Sequence, residues 1–386
     1  MNQEKYRDCE LPYELWLCSF PDISNKQLVR MAELCGDAQG AYYAGTDKWS
    51  QVLKDKQVES LKQFTEKWKP REEYEKLRAK GVRLVTLADS LYPKKLREIP
   101  DPPYGLFVRG HLPQEGEPTV AVIGARDCSQ YGSFLAKQLG EELGRHGITV
   151  ISGMARGIDG ISQQAALDTG GKSCGVLGCG VDICYPKENR KLYDKLWSQG
   201  CLVSSYPPGT PAMARNFPPR NRIVSGLADA VVVVEAREKS GTLITVDMAL
   251  EQGREVYAVP GRITDRLSDG CNRLIRQGAV PLLNPQELIR DLYGLLERKL
   301  GVRRKTGNKR AEDTVEIGST AVSLPPELMA VYSILELHPM TVEEIREKLP
   351  GSVIQSGINL NTCLIRLCLE NLAVQVSPGC FSAKIN

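Results

Sequence analysis

From residue 119 onward the apolar positions fall into six short runs, each followed by a glycine-rich or polar turn and then by a stretch with helical spacing. The runs are VAVIGAR, TVISGMARGID, KSCGVLGCG, CLVSSYPPG, AVVVVEA and EVYAVPG, with a seventh possible at 279–282. The segment 230–234 is apolar throughout and mostly β-branched, which fits a strand covered on both faces and therefore a parallel sheet with helices packed on each side. Repetition of strand, loop and helix predicts a doubly wound α/β domain over residues 81–298. In such a sheet ligands sit beyond the carboxyl ends of the strands, so the turns after the runs are where chemistry is expected.

The flanking regions follow other patterns. Over residues 10 to about 80, Leu15, Leu17, Leu28, Met31, Leu34, Leu53, Val58, Leu61, Phe64 and Leu77 recur at helical spacing, separated by Gly36, Gly40 and Gly45. A small helical module is predicted at 1–80. Tyr92-Pro93 and Asp101-Pro102-Pro103 are read as a rigid connection out of it. Residues 299–323 hold Arg303, Arg304, Lys305, Lys309 and Arg310 and then turn polar, the composition of a flexible linker. Such a linker is either a solvated spacer, the commoner role, or a phosphate contact. At 324–386 a winged-helix-like pattern is expected, with helices at 328–337, from the Thr341 cap to 348, and at 360–372, then a hairpin at Pro378-Gly379. Residues 321–386 carry four basic and six acidic side chains, and the third helix has only Arg366 against Glu370. That balance counts against groove reading and favours a protein-contact or regulatory role.

Composition narrows the class. The 386 residues carry a net charge of only +3, so any nucleic-acid role must come from a local basic patch. Twelve cysteines without a CxxC pair suit a reducing compartment. Cys174, Cys179 and Cys184 are evenly spaced but have no neighbouring histidine, and no metal site is expected there. The start of the chain is charged, without an apolar h-region, and no 18-residue apolar run occurs. A soluble, cytoplasmic protein without membrane insertion is expected.

The turns themselves are unusual for a dinucleotide site. Gly124-Ala125-Arg126 places a cation where GxGxxG would place glycine, and Gly178-Cys179-Gly180 runs into Asp182 and Tyr185-Pro186 rather than opening a helix, so NAD is not expected. The second turn, Ser152-Gly153-Met154-Ala155-Arg156-Gly157-Ile158-Asp159, combines small residues with another arginine. Its glycines suit either a close anion or a tight turn with Asp159 as a cap, and Arg156 is the residue a mere turn does not need. A third turn adds Lys187 and Asn189. Further along, 217–245 supplies a basic loop with Arg220, Asn221 and Arg222, and a Ser240-Gly241-Thr242 turn whose amides open a helix. Arg126, Arg156, Lys187, Arg220 and Arg222 all follow strands of one sheet and are expected to form a trough for a phosphodiester backbone, with single-stranded nucleic acid as the natural occupant. Tyr131, Tyr185, Tyr206 and Phe217 lie in the same loops, where each either packs or stacks on a base.

Catalysis has little support. His111, His146 and His338 are scattered, so no Ser/His/Asp or Cys/His set is proposed. Asp159, Asp182 and Glu235 are carboxylates near the sheet edge, where a metal-assisted phosphodiesterase would use them, but caps and arginine partners are the commoner roles.

Taken together, GAR with YG, SGMARGID, LGCGVDICYPKEN, SYPPGT, FPPRNRIVSGL, VVVEA, SGTLIT, AVPG and GCNRLIRQGA make the chain from about 81 to 283 resemble the DNA-processing protein A family, also called DprA or Smf. The resemblance implies a Rossmann-like sheet domain between a helical, SAM-like module and a winged-helix-like module. It further implies single-stranded DNA binding, dimerisation, loading of the RecA recombinase during transformation or recombination, no cofactor and no established enzymatic activity. DNA contacts of the family carry over to Arg126, Ser152, Gly153, Arg156, Lys187, Asn189, Arg220, Arg222, Ser240 and Gly241; the loop reading adds Gly157, Asn221 and Thr242. Two departures stand out: Gln163 where a histidine is common, and Ser205 where a glutamate is common. Two other classes remain open. One is a nucleotide-processing enzyme like the phosphoribohydrolases, although Ser240-Gly241-Thr242 lacks the Pro-Gly-Gly and the glutamate of their PGGxGTxxE motif. The other is a protein-interaction hub. Leu274 and Ile275 are apolar candidates for a dimer face, or simply core.

Overall fold

The computed structural model describes residues 3–21, 23–300, 325–335, 340–350, 359–370, 372–377 and 379–383. The chain divides into two compact units, Met1–Arg303 and Arg304–Asn386. The expected linker at 299–323 lies outside the described residues from 301 onward, as does Pro378 of the expected hairpin.

The first unit opens with six helices: α1 (Gln3–Ser19), α2 (Asn25–Cys35), α3 (Ala38–Tyr43), α4 (Thr46–Trp49), α5 (Asp55–Lys67) and α6 (Pro70–Ala79). Ser24 begins α2 with a capping box to Gln27. Trp16, Leu17, Phe20, Met31, Trp49, Leu53 and Leu61 form the core of this module. Two strands follow, β1 (Arg83–Thr86) and β2 (Gly105–Gly110), with α7 (Lys94–Arg97) between them. The segment read as a rigid connection therefore lies between two strands of the sheet. β1 pairs antiparallel with β2, and β2 antiparallel with the edge of the parallel strands. The prolines are confined to the turns between them, where no ladder hydrogen bond is lost. Through Leu15, Leu84 and Phe107, α1 packs directly on this flap.

The parallel strands are β3 (Thr119–Ile123), β4 (Thr149–Ser152), β5 (Ser173–Val176), β6 (Cys201–Ser204), β7 (Ala230–Val233), β8 (Glu255–Ala258) and the short β9 (Val280–Pro281). With α8 (Gln130–Arg145), α9 (Ile158–Asp168), α10 (Arg190–Gln199), α11 (Phe217–Gly226), α12 (Gly241–Glu251), α13 (Asp269–Arg276) and α14 (Pro285–Leu300), they give a nine-stranded sheet in the order β1-β2-β6-β5-β4-β3-β7-β8-β9. Alternate residues serve opposite layers. Val120, Val122, Val150 and Val232 pack under α8, α9 and α14. Ala121, Ile123, Ile151, Val231 and Val233 pack under α11, α12 and α13, where Leu274 is buried and Ile275 partly buried. Both faces being covered explains why the strands read as continuous apolar runs. The chain moves from β3 outward to β6 and then crosses back to β7 on the other side of β3. The carboxyl ends of β3 and β7 therefore form the switch point at which such sheets open a crevice.

In the second unit, α15 (Pro326–Tyr332), β10 (Met340–Thr341), α16 (Val342–Lys348), α17 (Leu360–Leu369), β11 (Ala373–Ser377) and β12 (Cys380–Ala383) enclose a core that includes Val331, Ile345, Leu364, Leu367 and Phe381. Thr341 caps α16 through a box with Glu344, as its sequence predicts. The first helix starts earlier than expected because Pro326 occupies the first helical turn, where a missing N–H costs nothing.

α8 packs closely on α9 through two of its glycines. A Cβ on Gly140 would overlap the Ser162 carbonyl oxygen, and one on Gly144 would overlap Thr169. Gly140→Ala is therefore expected to lower stability in urea unfolding. Overpacking of about 1–3 kcal/mol outweighs the gain of about 1 kcal/mol in helix propensity.

Candidate nucleic-acid interface

Five loops meet along the carboxyl edge and enclose two contiguous cavities of about 570 and 470 Å³. Arg126, Gly153, Ala155, Tyr185, Phe217 and Arg220 line both. Asn221, Ser240, Gly241 and Thr242 complete the first cavity, and Arg156 and Lys187 the second.

The floor is a network around Arg220. Its guanidinium is buried and donates to the carbonyls of Gly153, at 2.6 Å, and Val176, tying the ends of β4 and β5 to α11. Gly153 has no room for a side chain because that guanidinium occupies the space. Asp159, also buried, accepts from the Gly153 amide at 3.1 Å. Burial pushes the Asp159 carboxyl up and the Arg220 guanidinium down, while each charge holds the other. Asp159 is thus not the cap of α9. Gly157, at φ +71°, takes the cap position, where a Cβ would strike the carbonyls of Ala125 and Arg126.

The second loop is pinned residue by residue. Gln163 accepts from the Met154 amide at 3.0 Å and donates to Ser173 and to the Cys174 carbonyl. Asn189 donates to the carbonyls of Met154 and Ala155 at 3.0 and 2.9 Å. Met154 sits at φ 53°, a left-handed conformation uncommon for such a side chain, and these bonds hold it there. Ser152 is fully buried, its hydroxyl donating to the Val122 carbonyl at 2.7 Å. Ser240 caps α12, accepting from the Thr242 amide, and Thr242 donates to the Gly124 carbonyl at 3.2 Å, joining the loops after β7 and β3. The amino end of α12 opens onto the groove at Gly241, where a Cβ would meet nothing within 4 Å. This is the geometry that favours an anion.

Of the five expected cations, three are exposed along the groove: Arg126, Arg156 and Lys187. Arg156 has a loose neighbour in Asp127, at 3.8 Å with both side chains exposed. Arg220 lines the groove from below as part of its floor. Arg222, expected along it, does not line it: two residues beyond Arg220 and nearly opposite it round α11, its guanidinium forms an ion pair with Asp101. Asn189 and Ser152, also expected at the site, hydrogen-bond to backbone carbonyls, and neither lines the two cavities. Among the aromatics, Tyr185 and Phe217 line both cavities, with ring centroids 5.5 Å apart, whereas Tyr131 and Tyr206 line neither. Ile244, exposed on the first turn of α12 and lining the first cavity, was not anticipated. Its three-residue spacing from Gly241 was the available signal.

A sequence model described as DNA recombination-mediator protein A matches residues 83–293. The chain belongs to that family. It is 42 % identical over 204 residues to the DNA processing protein DprA of Streptococcus pneumoniae, covering 53 % of this chain and 72 % of that protein. It is 44 % identical over 214 residues to protein Smf of Escherichia coli, covering 55 % of this chain and 57 % of that one. An X-ray structure of the S. pneumoniae protein superposes with a TM-score of 0.63 at 33 % identity, over 72 % of this chain and 97 % of that chain. A structure of Helicobacter pylori DNA processing protein A, described as giving its single-stranded DNA binding mode, superposes at 0.50 and 29 % identity, over 55 % and 96 %.

The Arg222 pair gives a pH-dependent test of its structural role. Burial pushes the Asp101 carboxyl up, but hydrogen bonds from Asn25 and Arg222 and the Arg222 charge outweigh it and hold the group below its ordinary value. A lowered carboxyl binds fewer protons in the folded than in the unfolded chain. The pair's stabilisation is therefore present above about pH 4 and is lost as pH falls through the lower folded value. Arg222→Ala is expected to cost about 1–2 kcal/mol at pH 7, after discounting for solvent screening, and less at about pH 3, measured by urea unfolding. Affinity for an oligonucleotide is expected to stay near wild type.

Proposed function

We propose that this protein binds single-stranded DNA along the carboxyl-edge groove, without base specificity and without catalysis, and presents it to a RecA-type recombinase. The observation that carries this reading is the set of exposed Arg126, Arg156 and Lys187 over a floor of pinned amides, with Tyr185 and Phe217 at the centre. Guanidinium groups and amides at a helix end suit phosphate, and an exposed ring suits an unstacked base, which a duplex does not offer. Tyr185 is 44 % exposed, leaving its ring available. The recombinase step is supported by membership of a family described as recombination mediators, and the choice of single-stranded DNA by the H. pylori relative whose structure is described in those terms; a homodimeric, cytoplasmic form is part of the same proposal.

A non-catalytic role is supported by what the edge carboxylates already do. Asp159 is engaged with Gly153 and Arg220, Glu235 with Ser129, and Asp182 with Lys80 and the Gly209 amide. None is left as the free acid that a phosphoribohydrolase-type reaction needs. Among the described residues no helix is long and apolar enough to cross a membrane, and no cluster of three metal-ligating side chains occurs.

Fluorescence anisotropy with a labelled single strand, titrated with salt, tests the proposal. Arg126→Glu and Arg156→Glu are each expected to weaken binding equally at every sequence and to lower the slope of log affinity against log salt by about 0.7, one single-strand phosphate contact. A duplex of the same length is expected to bind more weakly. Unchanged affinity in folded variants, or preference for the duplex, would sink the groove as the binding surface.

A further inference from the structure

We propose a second phosphate-binding site at the opposite, amino-terminal edge of the sheet, which takes the backbone of the same DNA strand beyond the groove; this rests on the single-stranded DNA reading above. β6 begins at Cys201, paired with Gly110 at the end of β2, and β1 begins at Arg83, paired with Val108. Where these ends meet the last turn of α10, a cavity of about 590 Å³ opens. Arg78, Arg83, Arg109 and His111 line it together with Trp197, and no carboxylate among the described residues does.

This pocket is built rather than incidental. The Arg109 guanidinium lies over the Trp197 ring at 4.7 Å and donates to the Gly81 carbonyl at 2.9 Å. Arg83 donates to the Gly110 carbonyl at 2.7 Å. Gly81 and Gly110 both have positive φ, +66° and +86°. A Cβ on Gly81 would overlap the Arg109 guanidinium, and one on Gly110 would overlap the Gly200 carbonyl. Each guanidinium carries five N–H donors, so the backbone takes only a minority of those that Arg83 and Arg109 offer. Satisfying the carbonyls at the end of α10 and of the strands would account for these two residues. It does not account for Arg78, whose neighbour Glu75 stands 3.7 Å away with both side chains exposed, or for the acid-free lining. On helix surfaces of the first unit several cations are matched closely, Lys69 to Glu72, Lys76 to Glu73, Arg145 to Glu142 and Arg190 to Asp194. Planar guanidinium forks without a carboxylate partner match phosphate oxygens, and a stacked arginine keeps its charge in place.

The test compares a thymidine oligonucleotide of about 6 nucleotides, short enough for the groove alone, with one of about 40 that can round the β1–β2 edge. Binding to wild type and to Arg78→Gln/Arg83→Gln is read by anisotropy across a salt series. The short oligonucleotide is expected to bind both proteins alike. With the long one, the variant's salt slope is expected to fall by about 1.4, two single-strand phosphate contacts. Arg78→Gln alone, which removes no hydrogen bond to backbone and adds no like charge beside Glu75, serves as the variant in which folding is not at risk. It should shift the long-oligonucleotide slope in the same direction with an unchanged melting temperature. If both variants match wild type on the long oligonucleotide while the short one binds normally, the amino-edge site is wrong and the groove stands. If wild type fails to bind the short oligonucleotide, the groove reading falls and this proposal falls with it.

Discussion

The burial of one charge organises the candidate site. Arg220 enters from α11, on one layer of the sheet, and ends against the carbonyls of Gly153 and Val176 at the tips of β4 and β5, beside the Asp159 carboxylate. A buried guanidinium is tolerable only when its charge is answered, and here two backbone carbonyls accept from one terminal nitrogen and the Asp159 carboxylate supplies the opposite charge, while Nε has no hydrogen-bond partner among the described residues. Because the partners come from β4, β5 and α9, the same interaction sets the relative position of three loops. Removing the charge would leave Asp159 buried and uncompensated, so floor and fold are coupled. The exposed cations above it can change freely without that consequence.

This separation explains which part of the site was legible in the sequence. Cations after parallel strands were correctly expected near one edge, since strand order and right-handed crossovers leave no other place for those turns. Their division of labour was not legible. Arg220 and Arg222 are two residues apart with identical chemistry. On a helix that separation turns the side chains well apart, one into the sheet edge and the other to Asp101 in the preceding flap. Nothing local marks Asp101 as the partner, because it is distant in sequence. Asn189 and Ser152 teach the same lesson: both are polar residues in a phosphate-like loop, and both are spent on backbone groups that burial would otherwise leave unsatisfied.

The sheet itself was the more readable part, because burial on both faces leaves a signature that burial on one face does not. β3 to β8 are mostly apolar and almost wholly buried, and all were anticipated. β1 and β2 were not, although Leu84, Val85, Phe107 and Val108 are as buried as the central strands. Both strands are as long as the others, but the connection between them is proline-rich and carries only the four-residue α7, so the strand, loop and helix repeat that marks β3 to β8 does not extend to them. What identifies them is tertiary: α1 needs an apolar surface for Leu15, and the flap supplies it.

The remaining question is why this sheet should meet phosphate along a groove rather than at the helix after its first parallel strand, the usual dinucleotide position. The amino end of α8 is already occupied. The Glu235 carboxylate, 1 % exposed, accepts from the Ser129 amide at 2.9 Å and from the Ser129 hydroxyl. Gly132 leaves the space it needs, since a Cβ there would overlap the carboxylate. Burial pushes the Glu235 carboxyl up, while those hydrogen bonds favour its charged form. An internal anion at this helix end consumes the amides and the dipole that would hold a pyrophosphate. On the same edge the amino end of α12 faces the groove at Gly241, next to Arg126. An incoming anion is thereby displaced sideways, from a point between a strand and its own helix to a surface spanning several loops. Such a surface suits a chain of phosphates better than a single one.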